Sequence, residues 1–213
     1  MKKKNIVLIK YQNSGNIGSL ANILQNIISK NKLNIKLNIS CEKKVISKAD
    51  VIILPGVGHF DDVMKFLKKK DLSKIIQKQS KKKMIIGICI GMQVLFDKSE
   101  EGNLSGLKLI KGNVKKISHS KLPIIGWKKT LKSRNDNIVD MKADNTYFYY
   151  LHSYEAIPNN KKIILMNSVV NNQALAAFIK QKKIIGLQFH PELSSNSGFK
   201  ILENILLKGM LNN

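Results

Sequence analysis

The apolar positions of this chain change rhythm about halfway along. In the first half, short runs that are apolar at nearly every position alternate with stretches where apolar residues return every three or four. Runs such as Val51-Ile-Ile-Leu54 and Met84-Ile-Ile-Gly-Ile-Cys89 carry no polar alternate, the pattern of strands covered on both faces of a parallel sheet. Strands are predicted at 5–10, 33–39, 51–54 and 84–89, with helices at about 16–30, 59–69 and 72–80. Strand, helix and strand repeated in this way imply right-handed crossovers and an open, doubly wound sheet. Further on, strands are expected at 109–117, 147–152, 163–170 and 173–180, with Asn171-Asn172 as a tight hairpin turn. An apolar strand at 184–189 and an amphipathic helix at 198–211 close the chain. The expected fold class is α/β: an open, doubly wound mixed sheet flanked by helices, with an antiparallel β section added in the C-terminal half. One domain is expected over residues 1–213.

Composition narrows the function classes. Apolar residues make up 43% of the 213, too many for a disordered chain. No apolar run approaches the roughly 20 residues that span a bilayer, and the apolar stretch after Met1 is shorter than a secretory segment requires. A cytoplasmic protein without a membrane partner is expected. Cys41 and Cys89 are then expected as free thiols. The formal charge is +23, yet Arg134 is the only arginine among 37 basic residues. Base readout and bidentate phosphate clamping lean on arginine. The lysines are spread along the chain beside abundant Asn and Ile, as expected of an A/T-rich coding genome. They read as solvated faces, and no nucleic-acid partner is expected.

Candidate chemistry sits where strands end. Gly87-Ile88-Cys89-Ile90-Gly91 follows an apolar strand and precedes a helix-like stretch at 92–97. A cysteine there occupies a sharp strand-to-helix turn, with flanking glycines relieving the crowding. A helix N-terminus beneath it favours negative charge on sulfur. Taken alone, the motif fits a small buried cysteine at a tight turn equally well. A nucleophile needs a base, and the base needs an orienting group. Gly186-Leu-Gln-Phe-His190-Pro191-Glu192 supplies His190 as base and Glu192 as orienter, with Pro191 stiffening the link. His59 and His119 lack a neighbouring orienter, and His152 falls inside a strand. Leu54-Pro55-Gly56-Val57-Gly58 also follows a strand directly. Gly56 and Gly58 let its backbone turn, so the Val57 and Ile90 amides are the expected oxyanion donors. The loop lacks both the P-loop ending and the three-glycine dinucleotide pattern. Neither a metal nor a cofactor is expected.

Together, Pro55-Gly-Val-Gly58, Gly87-Ile-Cys-Ile-Gly-Met-Gln93 and Gly186-Leu-Gln-Phe-His-Pro-Glu192 resemble the class I, triad-type glutamine amidotransferases, in that family's order. Within the family the chain is most similar to glutaminase subunits of imidazole glycerol phosphate synthase. Gly15-Asn16-Ile17, Ser99-Glu-Glu-Gly102, Gly126-Trp127 and His152-Ser153-Tyr154 carry that closer likeness. The resemblance implies that Cys89, His190 and Glu192 hydrolyse glutamine through a thioester. It also implies a glutamine pocket lined by Gln93, Glu101, Ser153 and Tyr154, and a heterodimer with an ammonia-accepting synthase, most naturally the cyclase of histidine biosynthesis. Asn16, Trp127, Tyr149 and Leu193 would then lie at the partner interface. Three departures bear on that partner. Lys10 stands where the family usually has an aspartate before the tyrosine, and no histidine follows Pro123. Leu193 stands where a lysine commonly pairs with the synthase. These departures leave open a second partner class, a sugar amidotransferase of surface-polysaccharide synthesis.

Overall fold

The computed structural model describes residues 3–11, 17–118, 121–139, 146–170 and 173–210. Five strands form its parallel centre: β1 (Lys4–Ile9), β2 (Ile35–Ser40), β3 (Val51–Leu54), β4 (Met84–Ile88) and, from the far end of the chain, β12 (Ile184–Leu187). They lie in the order β2-β1-β3-β4-β12, each parallel to its neighbour. Antiparallel strands continue the same sheet: β11 (Gln173–Gln181), β10 (Ile164–Val170), β7 (Ile124–Lys132) and β8 (Thr146–His152). A second, three-stranded sheet contains β5 (Lys98–Ser99), β6 (Gly112–Lys116) and β9 (Tyr154–Pro158). The predicted doubly wound mixed sheet with an antiparallel addition is the observed architecture.

The uninterrupted apolar runs have the predicted cause. Successive residues of a strand face opposite sides, and both sides of the parallel centre are covered. Ile6, Leu8, Val51, Ile53, Ile86 and Ile88 pack into one core with Leu20, Leu24 and Ile27 of α1 (Ile17–Lys30) and with Ile201 and Leu202. Val7, Ile9, Ile52, Leu54 and Ile85 pack into the other with residues of α3 (Phe60–Lys69) and α4 (Leu72–Gln79), and with Val114 and Ala156 of the small sheet.

Some predicted boundaries move. The stretch after Cys89 is helical only over α5 (Ile90–Gln93), followed by turns, so there is little helix dipole to act on the sulfur. The final helix begins earlier, as α6 (Ser195–Asn204), and runs on as a π-helical segment, Ile205–Met210. A short α2 (Lys43–Ser47), together with β5, β7 and β9, escapes the pattern. Strand β7 alternates exposed and covered positions, and its Gly126-Trp127-Lys128-Lys129 segment has no clean apolar rhythm. The predicted Asn171-Asn172 turn lies outside the described residues.

Candidate active site

Sheet order brings the three sequence motifs together. Strands β3, β4 and β12 are parallel neighbours, with Leu54 in register with Gly87 and Gly87 with Gly186. Parallel strands lie about 4.8 Å apart, so their carboxyl ends deliver the Pro55–Gly58 loop, Cys89 and the His190 segment to one point. Close approach dictates the glycines. A Cβ on Gly91 would stand 1.9 Å from the Leu54 carbonyl oxygen, and one on Gly56 would stand 2.4 Å from that of Ile88. Neither neighbour can give way, because both atoms are backbone.

Cys89 has φ +51° and ψ −110°. A non-glycine residue in that region is strained, and such strain persists only where the surroundings over-determine it. Here the Cys89 amide is tied to the Leu187 carbonyl at 2.7 Å, and its own carbonyl accepts from Met92 and Gln93. The turn presents a buried sulfur at the floor of a cavity of about 220 Å³.

His190 is 1% exposed, and its Nδ1 lies 2.8 Å from Glu192 Oε1. That bond leaves Nε2 as the nitrogen available to the Cys89 sulfur. Burial alone would pull the imidazole down. Negative charge on Cys89, with help from Glu192, outweighs it and holds His190 above the ordinary imidazole range. His190 is fixed through its backbone as well: its amide donates to the Tyr149 carbonyl at 2.8 Å, and Ser194 Oγ donates to the His190 carbonyl at 2.6 Å. The predicted sulfur thus follows one strand, β4, while the imidazole and carboxylate follow its neighbour β12, His190 just before and Glu192 within the short turn Pro191–Leu193.

The remaining predicted residues fall into two groups. Val57, Gly58, Ile90, Gln93, Glu101, Ser153 and Tyr154 all line the cavity, while Gly56 packs behind it against Ile88 and Ile90. As the first helical residue, Ile90 has no intrahelical acceptor for its amide. Glu101 accepts the Phe60 amide at 2.8 Å and makes no ion pair among the described residues. Burial holds its carboxyl above the usual carboxylate range. Gln93 spends its amide hydrogens inside the protein, on the Tyr154 carbonyl at 3.0 Å and Gln188 Oε1 at 3.2 Å. Of the expected interface residues, Asn16 lies outside the described residues. Trp127 and Tyr149 meet edge to face at 6.2 Å on the β7–β8 pair, and Leu193 is half-buried at the end of the Pro191–Leu193 turn.

Two further residues at the site carry no role in the reading of the sequence. His152 lines the cavity 95% buried, and its Nδ1 lies 2.8 Å from the Tyr154 carbonyl. An oxygen there requires a proton on Nδ1, so Nε2 presents a lone pair. Burial pulls this imidazole down to about 4, and it is neutral at physiological pH. The second is Gln188, whose Nε2 donates to Cys89 Sγ at 3.7 Å. Its signal is present in the sequence. A lone amide between the fully buried Leu187 and Phe189 has to be hydrogen-bonded.

Residues 16–208 match the family model described as glutamine amidotransferase class-I. The imidazole glycerol phosphate synthase subunit HisH 2 of Methanococcus maripaludis is 37% identical over 206 residues, covering 94% of this chain and 98% of the relative. The HisH subunit of Oceanobacillus iheyensis is 38% identical, covering 93% and 96%. Among solved structures, a glutamine amidotransferase of Thermotoga maritima superposes with TM-score 0.67 at 16% identity, over 98% of this chain and 84% of that one. A GMP synthase component of Thermoplasma acidophilum gives 0.69 at 19%, over 97% and 94%. At those identities the structures speak for the fold, whereas the family model and the sequence relatives speak for descent. The chain belongs to the class-I glutamine amidotransferase family.

Proposed function

We propose that this chain is the glutaminase subunit of an imidazole glycerol phosphate synthase, supplying ammonia to a docked cyclase in histidine biosynthesis. The observation that carries the reading is near-full-length similarity to subunits of that name, joined to a cavity lined by Cys89, whose sulfur interacts with a buried His190 that Glu192 holds at 2.8 Å.

In this reading the Cys89 thiolate attacks the side-chain amide carbon of glutamine, and the Val57 and Ile90 amides hold the developing oxyanion. His190, as imidazolium, gives its proton to the departing nitrogen; ammonia leaves and a thioester remains. Water, deprotonated by the now neutral His190, then attacks the thioester carbon; the C–S bond breaks, glutamate leaves, and the thiolate–imidazolium pair is restored. Glu101 suits the substrate ammonium, because it makes no ion pair among the described residues of a chain of net charge +23. Ser153 and Tyr154 supply donors for the substrate carboxylate.

The partner surface follows from the β7–β8 pair. Ile125 faces Leu151, Trp127 faces Tyr149 and Lys129 faces Tyr147 across the two strands. Ile125, Trp127, Leu131, Tyr147 and Leu151 are all exposed. Leu151 also lines the cavity and offers its carbonyl to Cys89, so the apolar face begins at the nucleophile. A partner seated there receives ammonia without its passing through bulk water, where at neutral pH it would become ammonium.

The test is reconstitution. Mixed with a histidine-pathway cyclase, the chain is expected to support glutamine-dependent turnover and to restore growth of a histidine auxotroph that lacks its own glutaminase. Covalent labelling of Cys89 by a glutamine-like electrophile is expected as well. Leu193, in place of the lysine common at that position, favours the second partner class. Failure with cyclases, together with ammonia delivery to a sugar amidotransferase, would move the chain to surface-polysaccharide synthesis.

A further inference from the structure

The Cys89 sulfur touches two groups that favour opposite protonation states. The Leu151 carbonyl oxygen, 3.5 Å away, can be met only by a thiol proton. The Gln188 amide, 3.7 Å away, donates to sulfur, and a donor favours the thiolate. Whether Gln188 offers its nitrogen or its oxygen therefore matters to the nucleophile.

One backbone carbonyl settles the choice. Tyr154 O can only accept, so Gln93 must present its NH₂ group there, at 3.0 Å. The same nitrogen then meets Gln188 at 3.2 Å and requires Gln188 to answer with Oε1. Gln188 Nε2 is left pointing at Cys89 Sγ. Both amides are buried, at 3% and 1% exposure, and turning either one over would set two like groups against each other. Tyr154 O also receives His152 Nδ1 at 2.8 Å, so it fixes an imidazole tautomer and two amide orientations at once. It belongs to β9, which pairs with β6 in the small sheet.

We infer that Gln188 is a positioning residue for the nucleophile, aimed through Gln93 by the Tyr154 carbonyl, and that the small sheet thereby sets the state of Cys89. The inference rests on Cys89 being the nucleophile. The titratable groups around the sulfur are His190 beyond β12, with Glu192 behind it, His152 on β8, and Glu101 across the cavity. Of these, only His152 meets the Tyr154–Gln93–Gln188 relay, at the shared Tyr154 carbonyl, and the amide substitutions below leave all four side chains intact.

The experiment uses the chain with its synthase and two substitutions. Gln188→Leu removes the donor, and Gln188→Glu keeps the shape and the acceptor for Gln93 while setting a second oxygen against sulfur. In Gln188→Leu, kcat is expected to fall roughly ten- to a hundredfold, with KM for glutamine within about threefold. The pH profile of Cys89 alkylation by iodoacetamide moves to higher pH in Gln188→Leu, and further in Gln188→Glu. Should the leucine variant unfold on heating well below the wild type, the isosteric glutamate variant alone decides. Wild-type kcat and an unmoved alkylation profile in the folded variants overturn the inference. If those variants behave as wild type while Cys89→Ser is inactive, only the positioning role falls. If Cys89→Ser keeps glutaminase activity, the nucleophile assignment falls and takes this inference with it.

Discussion

The parallel centre of the large sheet and its antiparallel margin are one hydrogen-bonded surface with opposite fates at their faces. In β3, β4 and β12 every residue is buried. In β7 and β8 exposed and covered positions alternate, and the exposed ones include Ile125, Trp127, Tyr147 and Leu151. The centre is finished within the chain, whereas the margin leaves apolar surface uncovered. That patch is where the proposed synthase would seat. The candidate catalytic groups follow the buried strands, and the exposed apolar residues lie on the margin.

The largest expected effect breaks the centre at its tip. Cys89→Ala is expected to reduce glutamine hydrolysis to background, a loss of more than about 10³-fold, with an unchanged circular dichroism spectrum. Glu192→Gln keeps the shape but frees the imidazole from its carboxylate, and kcat should fall on the order of 10²–10⁴-fold. Within the core, Ile86→Ala should cost about 2–5 kcal/mol of unfolding free energy by denaturant titration. At the margin, Trp127→Ala should change that free energy by no more than about 1 kcal/mol. Its cost should appear in synthase binding instead, at about 2 kcal/mol, or roughly thirtyfold in Kd by calorimetry. Equal effects of these last two substitutions on folding would erase the distinction between centre and margin.

The smallest expected effect is electrostatic. The folded state holds His190 above its unfolded value because of burial-opposing charge on Cys89 and Glu192. The stability it lends is therefore complete below the unfolded value of about 6.5 and is lost as pH rises through the folded one. Cys89→Ser removes the sulfur's charge, so by NMR the His190 ring should titrate at lower pH in that variant. His152 runs the other way. Its folded value, about 4, lies below the unfolded one, so below about pH 6.5 the unfolded chain binds the extra proton and stability falls with pH.

Much of this is legible in the order of residues. Fully apolar runs at Val51–Leu54 and Ile184–Leu187 fit strands covered on both faces. The glycines around Cys89 mark backbone that touches backbone, which a sequence records because no other residue fits. His190 and Glu192 are readable because they sit two residues apart, close enough for short-range chemistry to imply contact. Less is legible where a residue's partner is distant. Gln188 stands inside a recognisable motif without a role, because its meaning depends on Gln93 and Tyr154, which are far away in the chain. His152 reads as an ordinary strand residue until burial and the Tyr154 carbonyl give it a neutral ring in the same cavity as Cys89. Strand β7 escapes the pattern because its exposed face is apolar, the reverse of the alternation by which a half-covered strand is recognised.

By itself, then, the sequence determined the local elements and the groups able to react, since periodicity, strained turns and triad chemistry act over a few residues. Only the tertiary structure decided that β12 would lie beside β4 rather than at an edge, that the Tyr154 carbonyl would orient two amides, and that an apolar face would open at Leu151. Those outcomes turn on contacts between residues widely separated along the chain, and pairing at that range is settled by how both faces of the whole sheet are buried at once.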